Sequence, residues 1–454
     1  MEHLGRVVYG GIWVGEGSAV PNERGFRKDV LEALRAFHPP ITRWPGGNFA
    51  SAYHWLDGVG PREERPKKFE MAWNSVETNQ FGTDEFMEWA RAVGTEPYIT
   101  VNAGNGSPEE AAAWVEYCNS ERDTRYAELR RKYGHSQPYN VKVWSIGNEL
   151  YGRWQVGYCV DGEECARRTL EFANEMRRVD PSIKLIGVGW DEDQDWNYKV
   201  VKTAGEQIDY LSVHRYLHPP SYPELAAASL GVEDMLNTTY GVVQSARRAG
   251  GIKRDVKVAF DEWNVWYEGP MERDATVGDA VFTGSMLIGL ERLAGKVTMA
   301  NFAQLVNVLP LIRTRDDGAF YVNPQYYAFL LFGPNSGEDV LPITSASPTY
   351  YSKELGRAVP YLDASATASG EAVYVHLVNR HEDEAARVTI KLSGFNAASG
   401  THDYVSGQSP GDANSFDEPN KVAVQRGQEM ELGAQTVELT VPPHSVNLVT
   451  LKRG

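Results

Sequence analysis

Two stretches decide the fold: VKVWSIGNEL (141–150) and VKVAFDEWNVWY (256–267). Each opens as a short run of β-branched, aliphatic and aromatic residues, the pattern of a buried strand. Each ends in residues that can do chemistry, Asn148 and Glu149 in the first and Asp261 and Glu262 in the second. Working outward, five more runs of the same kind lie up to about residue 310: ITRWPGGN (41–48), EPYITVNAG (96–104), IKLIGVGWD (183–191), IDYLSVHRY (208–216) and VTMANFAQLVNV (297–308). Between them GFRKDVLEALRAF (25–37), TDEFMEWARAV (83–93), EECARRTLEFANEMRRV (163–179) and 278–293 repeat apolar residues three and four apart, as amphipathic helices do. Alternating strands and helices predict an α/β fold with a parallel sheet. An open doubly wound sheet is the alternative. It is disfavoured because no G-x-G-x-x-G turn follows the early strands and the polar strand ends are spread around the chain, as in a (β/α)8 TIM barrel. Seven strands leave one to find. It lies at or before Met1, so that the first barrel strand is truncated, or comes from VVYGGIWVG (7–15).

From about residue 320 the rhythm becomes short alternating strands, EAVYVHLVNR (371–380), ARVTIKLSG (386–394) and VELTVPPHSVNLVTLKR (437–453), which predict a C-terminal antiparallel β-sandwich of jelly-roll type. The expected division is a catalytic barrel over 1–315 and a sandwich domain over 316–454. The acidic runs HEDEA (381–385) and DANSFDEPN (412–420) read as solvated loops.

With 42% hydrophobic and 23% charged residues among 454, the chain has the composition of a folded globular protein. A formal net charge of -16 repels phosphate backbones and anionic lipid, which argues against nucleic-acid and membrane partners. No apolar stretch is long enough to span a bilayer, and no basic-then-apolar leader opens the sequence, so a cytoplasmic location is expected. Three cysteines, Cys118, Cys159 and Cys165, are too few for a disulfide framework and lack zinc-site spacing.

Two strand-end carboxylates suggest paired acid and base work, as glycoside hydrolysis requires: one carboxyl gives a proton to the leaving oxygen and the other attacks or activates water. A lone strand-end Glu is ordinarily a surface residue or a helix cap. The weight lies in the ordered pair, flanked by Trp144, Tyr151, Trp263 and Trp266, since catalytic pairs sit in aromatic-walled clefts. Glu149 and Glu262 are the candidates. Asp261 competes for the second role, because strand alternation sends neighbours to opposite faces and does not say which of them reaches the barrel mouth.

Seven motifs in order, EHLGR (2–6), YGGIWVGE (9–16), RWPGGNF (43–49), ETNQFGTDEF (77–86), GNELYGRWQVG (147–157), DEWNVWY (261–267) and AQLVNV (303–308), give the chain a resemblance to the α-L-arabinofuranosidases of glycoside hydrolase family 51 over nearly its whole length. The resemblance implies Glu149 as acid/base, Glu262 as nucleophile, and retention of configuration through a covalent arabinosyl-enzyme. It implies that Asn148 binds the sugar 2-hydroxyl, that Tyr216 holds the nucleophile, that Glu2 and Gln304 contact furanose hydroxyls, and that Trp73 and Trp266 line the cleft. Asn48, where some members carry Cys, is a further sugar contact. His214 reads as a structural strand-end histidine. No metal or organic cofactor is expected. Partners would be arabinose-containing oligosaccharides or polysaccharides and further copies of the chain, in hexamers by resemblance. Relatives carry a segment before EHLGR that supplies the first barrel strand, so the chain as given is expected to melt below an extended version. Competing readings are a β-xylosidase or endoglucanase of the same clan, or a non-catalytic carbohydrate-binding protein. The acidic DEDQD (191–195) lacks the glycine and terminal Glu of a calcium loop and reads as a solvated loop at the barrel mouth.

Overall fold

The computed structural model describes residues 1–433 and 435–453. All seven predicted strands form, and all seven belong to one parallel sheet with neighbours in the order Ile41–Trp44, Glu96–Val101, Val143–Ile146, Lys184–Val188, Tyr210–Leu217, Lys257–Val265 and Val297–Phe302. The sheet curls into a nearly closed barrel. Its interior is filled by side chains of alternate strand positions, Tyr98, Ile186 and Ala259 with Ile41, Val143, Tyr210 and Met299 around them. The helices form where the apolar spacing placed them: Lys28–Phe37 buries Val30, Leu31, Leu34 and Phe37, and Gly162–Val179 is capped by Asp161, which accepts from the N–H groups of Glu163 and Glu164.

The eighth strand is the point of difference. Residues 7–15 do not supply it. They turn back on themselves through single bridges, Tyr9 to Trp13 and Trp13 to Phe26, with Val7, Val8 and Ile12 buried outside the barrel. Ile41–Trp44 and Val297–Phe302 are therefore the two edges of the sheet, separated by a cavity of about 580 Å³ lined by residues such as Ile41, Arg43, Met299 and Phe302.

Beyond the barrel, a six-stranded antiparallel sheet ordered Asp339–Val340, Leu362–Ser369, Ala372–Asn379, Ser445–Arg453, Ala397–Val405 and Gln425–Gln428 faces a three-stranded one containing Ala386–Lys391 and Thr436–Val441. Val375, Leu377, Val437, Leu439, Val449 and Leu451 fill the space between them. A helix, Pro324–Phe332, precedes these strands, and it joins Val277–Arg292 in a second core with Val378, Val446 and Leu448 of the larger sheet. The 381–385 run is largely exposed. The 412–420 run is more than a solvated loop, since the neighbouring carbonyls of Pro410 and Asp412 accept from Gly278 and Val277 at the start of helix Val277–Arg292. Among the described residues no helix is long and apolar enough to cross a membrane.

Candidate active site

The carboxyl ends of the barrel strands open into a cavity of about 940 Å³, and Glu2, Asn48, Trp73, Glu149, Tyr216, Glu262, Trp266 and Gln304 all line it. Asn148 lies beside it, buried, accepting from Arg43 Nη2 at 2.6 Å and donating to Asn48 Oδ1 at 3.3 Å. The structure thus brings these candidates to one place, whereas Trp144 and Trp263, expected to flank the cleft, are buried in the core and do not line it.

Local backbone explains why two adjacent carboxylates can both point inward. Along Lys257–Val265, Ala259 pairs with Ser212 but Glu262 pairs with His214, so three steps on one strand match two on its neighbour. This extra residue is a β-bulge, which re-aims a side chain. Asp261 occupies the inward position that alternation predicts after Ala259. It sits below the mouth, accepting from Tyr98 OH at 2.6 Å and Ser212 Oγ at 2.5 Å. Glu262, one residue on, reaches the cavity itself. Strict alternation, which admits only one of the two, fails here because of the bulge. Opposite, Glu149 follows Val143–Ile146 with a positive φ of 42°, a conformation that costs a non-glycine residue energy and concentrates at functional sites.

Glu262 accepts from Arg43 Nη1 at 3.0 Å and from the Tyr216 hydroxyl at 2.5 Å, and His214 Nδ1 lies 3.3 Å away. The same ring nitrogen is 2.9 Å from Glu149 Oε1, and Glu149, His214 and Glu262 each place a polar atom within 4.8 Å of the others. Burial pushes the Glu262 carboxyl up, but the charges of His214 and Arg43 and the Tyr216 hydrogen bond outweigh it and hold the group below its ordinary range. For His214 burial favours the neutral ring, yet Glu262, Asp261 and Glu149 around it raise its pKa to about 10. Asp261 is pulled down to about 2: its burial is outweighed by His214, Arg43 and Ser212. The floor of the site is therefore a compact ionic lattice of two cations and two ionised carboxylates, with Glu149 at its edge. Glu149, His214 and Glu262 are the only group of the described residues with the spacing of metal ligands. The three are already engaged with one another, His214 Nδ1 lying 2.9 Å from Glu149 Oε1 and 3.3 Å from Glu262 Oε2.

On the other wall Glu2 accepts from Phe49 N–H at 3.1 Å, Trp73 Nε1 at 2.7 Å and Gln304 Nε2 at 3.2 Å. Burial and the Glu262 charge push its carboxyl up to about 8 against those donors. Gln304 Oε1 is buried without a hydrogen-bond partner, and Trp266 packs edge-on against Tyr216 with ring centroids 5.4 Å apart.

Comparison with known proteins identifies the family. The family model for the α-L-arabinofuranosidase 1 domain matches residues 33–231, and the model for the α-L-arabinofuranosidase C-terminal domain matches 261–445. α-L-Arabinofuranosidase C of Emericella nidulans is 40% identical over 421 residues, covering 87% of this chain and 82% of that protein. The chain belongs to the α-L-arabinofuranosidases of glycoside hydrolase family 51. An intracellular exo-α-(1→5)-L-arabinofuranosidase of Halalkalibacterium halodurans is 35% identical over 419 residues, 87% of this chain and 83% of that one. The α-L-arabinofuranosidase of Thermotoga maritima, solved as an arabinose complex, superposes with a TM-score of 0.92 at 40% identity over 99% of this chain and 95% of that chain.

For this family 51 member, sequence reading missed Arg43 and underrated His214, which joins both glutamates instead of serving as a mere strand-end residue. It also passed over Gln155, whose carbonyl accepts from Ser51 Oγ at 2.8 Å and whose amide donates to Asn48. A signal for Arg43 was present: a charge two residues after Ile41 on a short buried strand faces the barrel interior and demands anionic partners.

Proposed function

We propose that the chain is a retaining, exo-acting α-L-arabinofuranosidase that releases terminal arabinofuranose from arabinoxylan- or arabinan-derived oligosaccharides. The observation that carries this is the spacing of Glu149 and Glu262. Carboxylate oxygens within 4.8 Å leave no room for a water to attack from the far face and suit direct attack on the sugar. In the first step Glu149 gives its proton to the glycosidic oxygen as that bond breaks, and a Glu262 oxygen bonds to the anomeric carbon. In the second, Glu149 takes a proton from water, the water oxygen bonds to the anomeric carbon, and Glu262 leaves as carboxylate. Both inversions together retain configuration. Arg43, His214 and Tyr216 keep Glu262 ionised and aimed, and no step calls on a metal or organic cofactor. Asn148 meets the 2-hydroxyl, and the unpartnered Gln304 Oε1, with Glu2 and Asn48, supplies polar partners for the furanose, while Trp73 and Trp266 wall it. We place the catalytic unit at 1–315 and the sandwich at 316–454, with a cytoplasmic location and a homo-oligomeric, hexameric assembly that light scattering would check.

The test is turnover of an aryl α-L-arabinofuranoside beside the matching β-D-xyloside. The arabinoside should be hydrolysed, and Glu262→Ala should lower kcat by about 10⁴-fold. Preference for the xyloside would favour the β-xylosidase reading, and folded protein inert to both would favour a binding role.

A further inference from the structure

Beside the catalytic cavity lies a second one of about 470 Å³, and the two share Asp191, Glu192, Arg215 and Tyr216 as a common wall. It begins where strand Tyr210–Leu217 ends, runs over Leu217, His218, Pro219 and Pro220, and is closed by Val232 and Met235 of helix Tyr222–Gly250 and by Glu354 and Leu355. Tyr216 therefore touches both spaces, its hydroxyl donating to Glu262 on the catalytic side, and its neighbour Arg215 likewise lines both. The Arg215 side chain, 38% exposed, donates to Asp191 Oδ2 at 2.9 Å and lies 3.6 Å from Glu192. On the catalytic side the wall is continuous with the acid. Glu149, Tyr151, Trp190 and Asp191 line the same cavity, and the ring of Trp190, the residue before Asp191, stacks on Tyr151 at 4.9 Å.

A leaving group protonated by Glu149 must exit past Glu149's own surroundings, and the Asp191–Arg215 pair stands there. The space beyond has what a chain of pentoses needs. Arg215, His218 and Glu354 offer hydrogen bonds to hydroxyls, and the proline and leucine surfaces suit the C–H faces of the rings. Resting on the proposed glycosidase reading, we propose that this second cavity is a leaving-group site that holds the backbone sugars of a pentose oligosaccharide, and that Arg215 is its specificity-determining residue. Its volume lies within the range of small-molecule sites.

The experiment compares kcat/KM for an aryl α-L-arabinofuranoside with that for α-1,5-linked arabino-oligosaccharides of two to five residues. It uses the native chain and two variants: Arg215→Ala, which removes the polar contact, and Ala228→Trp, which fills the cavity from the helix. The native chain should gain about tenfold in kcat/KM from the disaccharide to the longest substrate, the worth of one charge-assisted hydrogen bond. In both variants that gain should shrink below about twofold, while the ratio of disaccharide to aryl turnover stays put. A native kcat/KM independent of chain length, or variants that slow all substrates by one factor, would overturn the proposal. Failure of the native chain to hydrolyse any arabinofuranoside would instead overturn the function on which it rests, and this proposal with it.

Discussion

Arg43 shows how a single buried side chain can set the chemistry of a site. It is nearly fully buried, donates to Thr100 Oγ1, Glu262 and Asn148, and lies 3.8 Å from Asp261. A guanidinium cannot give up its proton in such a place, so it must be neutralised there, and the carboxylates pay that debt while being held ionised by it. The pH profile follows. Because Glu262 is held below its ordinary value of 4.5, it stays ionised as pH falls until that depressed value is reached, so the acid limb of kcat/KM should lie below about pH 4.5. Arg43→Gln removes one of the two cations that depress it and should move the limb to higher pH. An unmoved limb would mean that the group seen in the profile is not Glu262. At this scale the candidates legible in the sequence were those whose types stand out: Glu149 and Glu262 at strand ends, and Tyr216 by resemblance. For Arg43 the strand position signalled an inward charge, but its partners, like those of His214, were not legible, since they fold against it from strands far apart in sequence.

At the scale of elements, the strands and helices were legible because burial dictates period. Each of the seven strand runs read between residues 41 and 308 contributes a strand to the barrel sheet, whereas the hairpin Lys68–Glu70 and Ser75–Glu77 stands apart from it. The bulge at Phe260–Glu262 was not legible, since nothing in VKVAFDEW marks an extra residue and the irregularity is fixed by pairing with Tyr210–Leu217. In the tight turn after Ile41–Trp44, the passage of Glu2 beside Gly47 was likewise not legible. Gly47 has φ 53°, and a Cβ there would stand 2.1 Å from the Glu2 carboxylate, so glycine is required both for the left-handed backbone and for the passage of Glu2. Gly47→Ala should displace Glu2 from Phe49 and Gln304. KM for an aryl arabinofuranoside should rise by about tenfold, the loss of about 1.4 kcal/mol of binding, with the melting temperature lowered as well. A variant with native KM would show that Glu2 does not bind the sugar.

For the molecule as a whole, the change from strand-helix rhythm to alternating short strands announced two units, but not how they join. Helix Val277–Arg292 is buried on nearly all sides because it serves both: Gly284 meets Val446 of the sandwich so closely that a Cβ would lie 2.8 Å from its methyl groups. Buried Arg380, at the end of sandwich strand Ala372–Asn379, donates to Asp363 at 2.6 Å and to the carbonyl of Ala226 in helix Tyr222–Gly250 at 2.7 Å. Arg380→Ala should cost about 3 kcal/mol by stripping these acceptors of their donor, and heating should still give one cooperative transition, since the shared core ties both units together. Two separated transitions would show the units to be independent.

The two-step displacement proposed for Glu149 and Glu262 can be trapped half-way by incubating Glu149→Ala with an arabinofuranoside bearing a strongly activated aryl leaving group and following the protein by mass spectrometry. Such a substrate needs no acid for the first step, whereas the second step lacks its base. A protein species heavier by one anhydropentose should accumulate, with the label on the peptide at Glu262. A label on Asp261, or turnover without any covalent species and with inverted product, would contradict it.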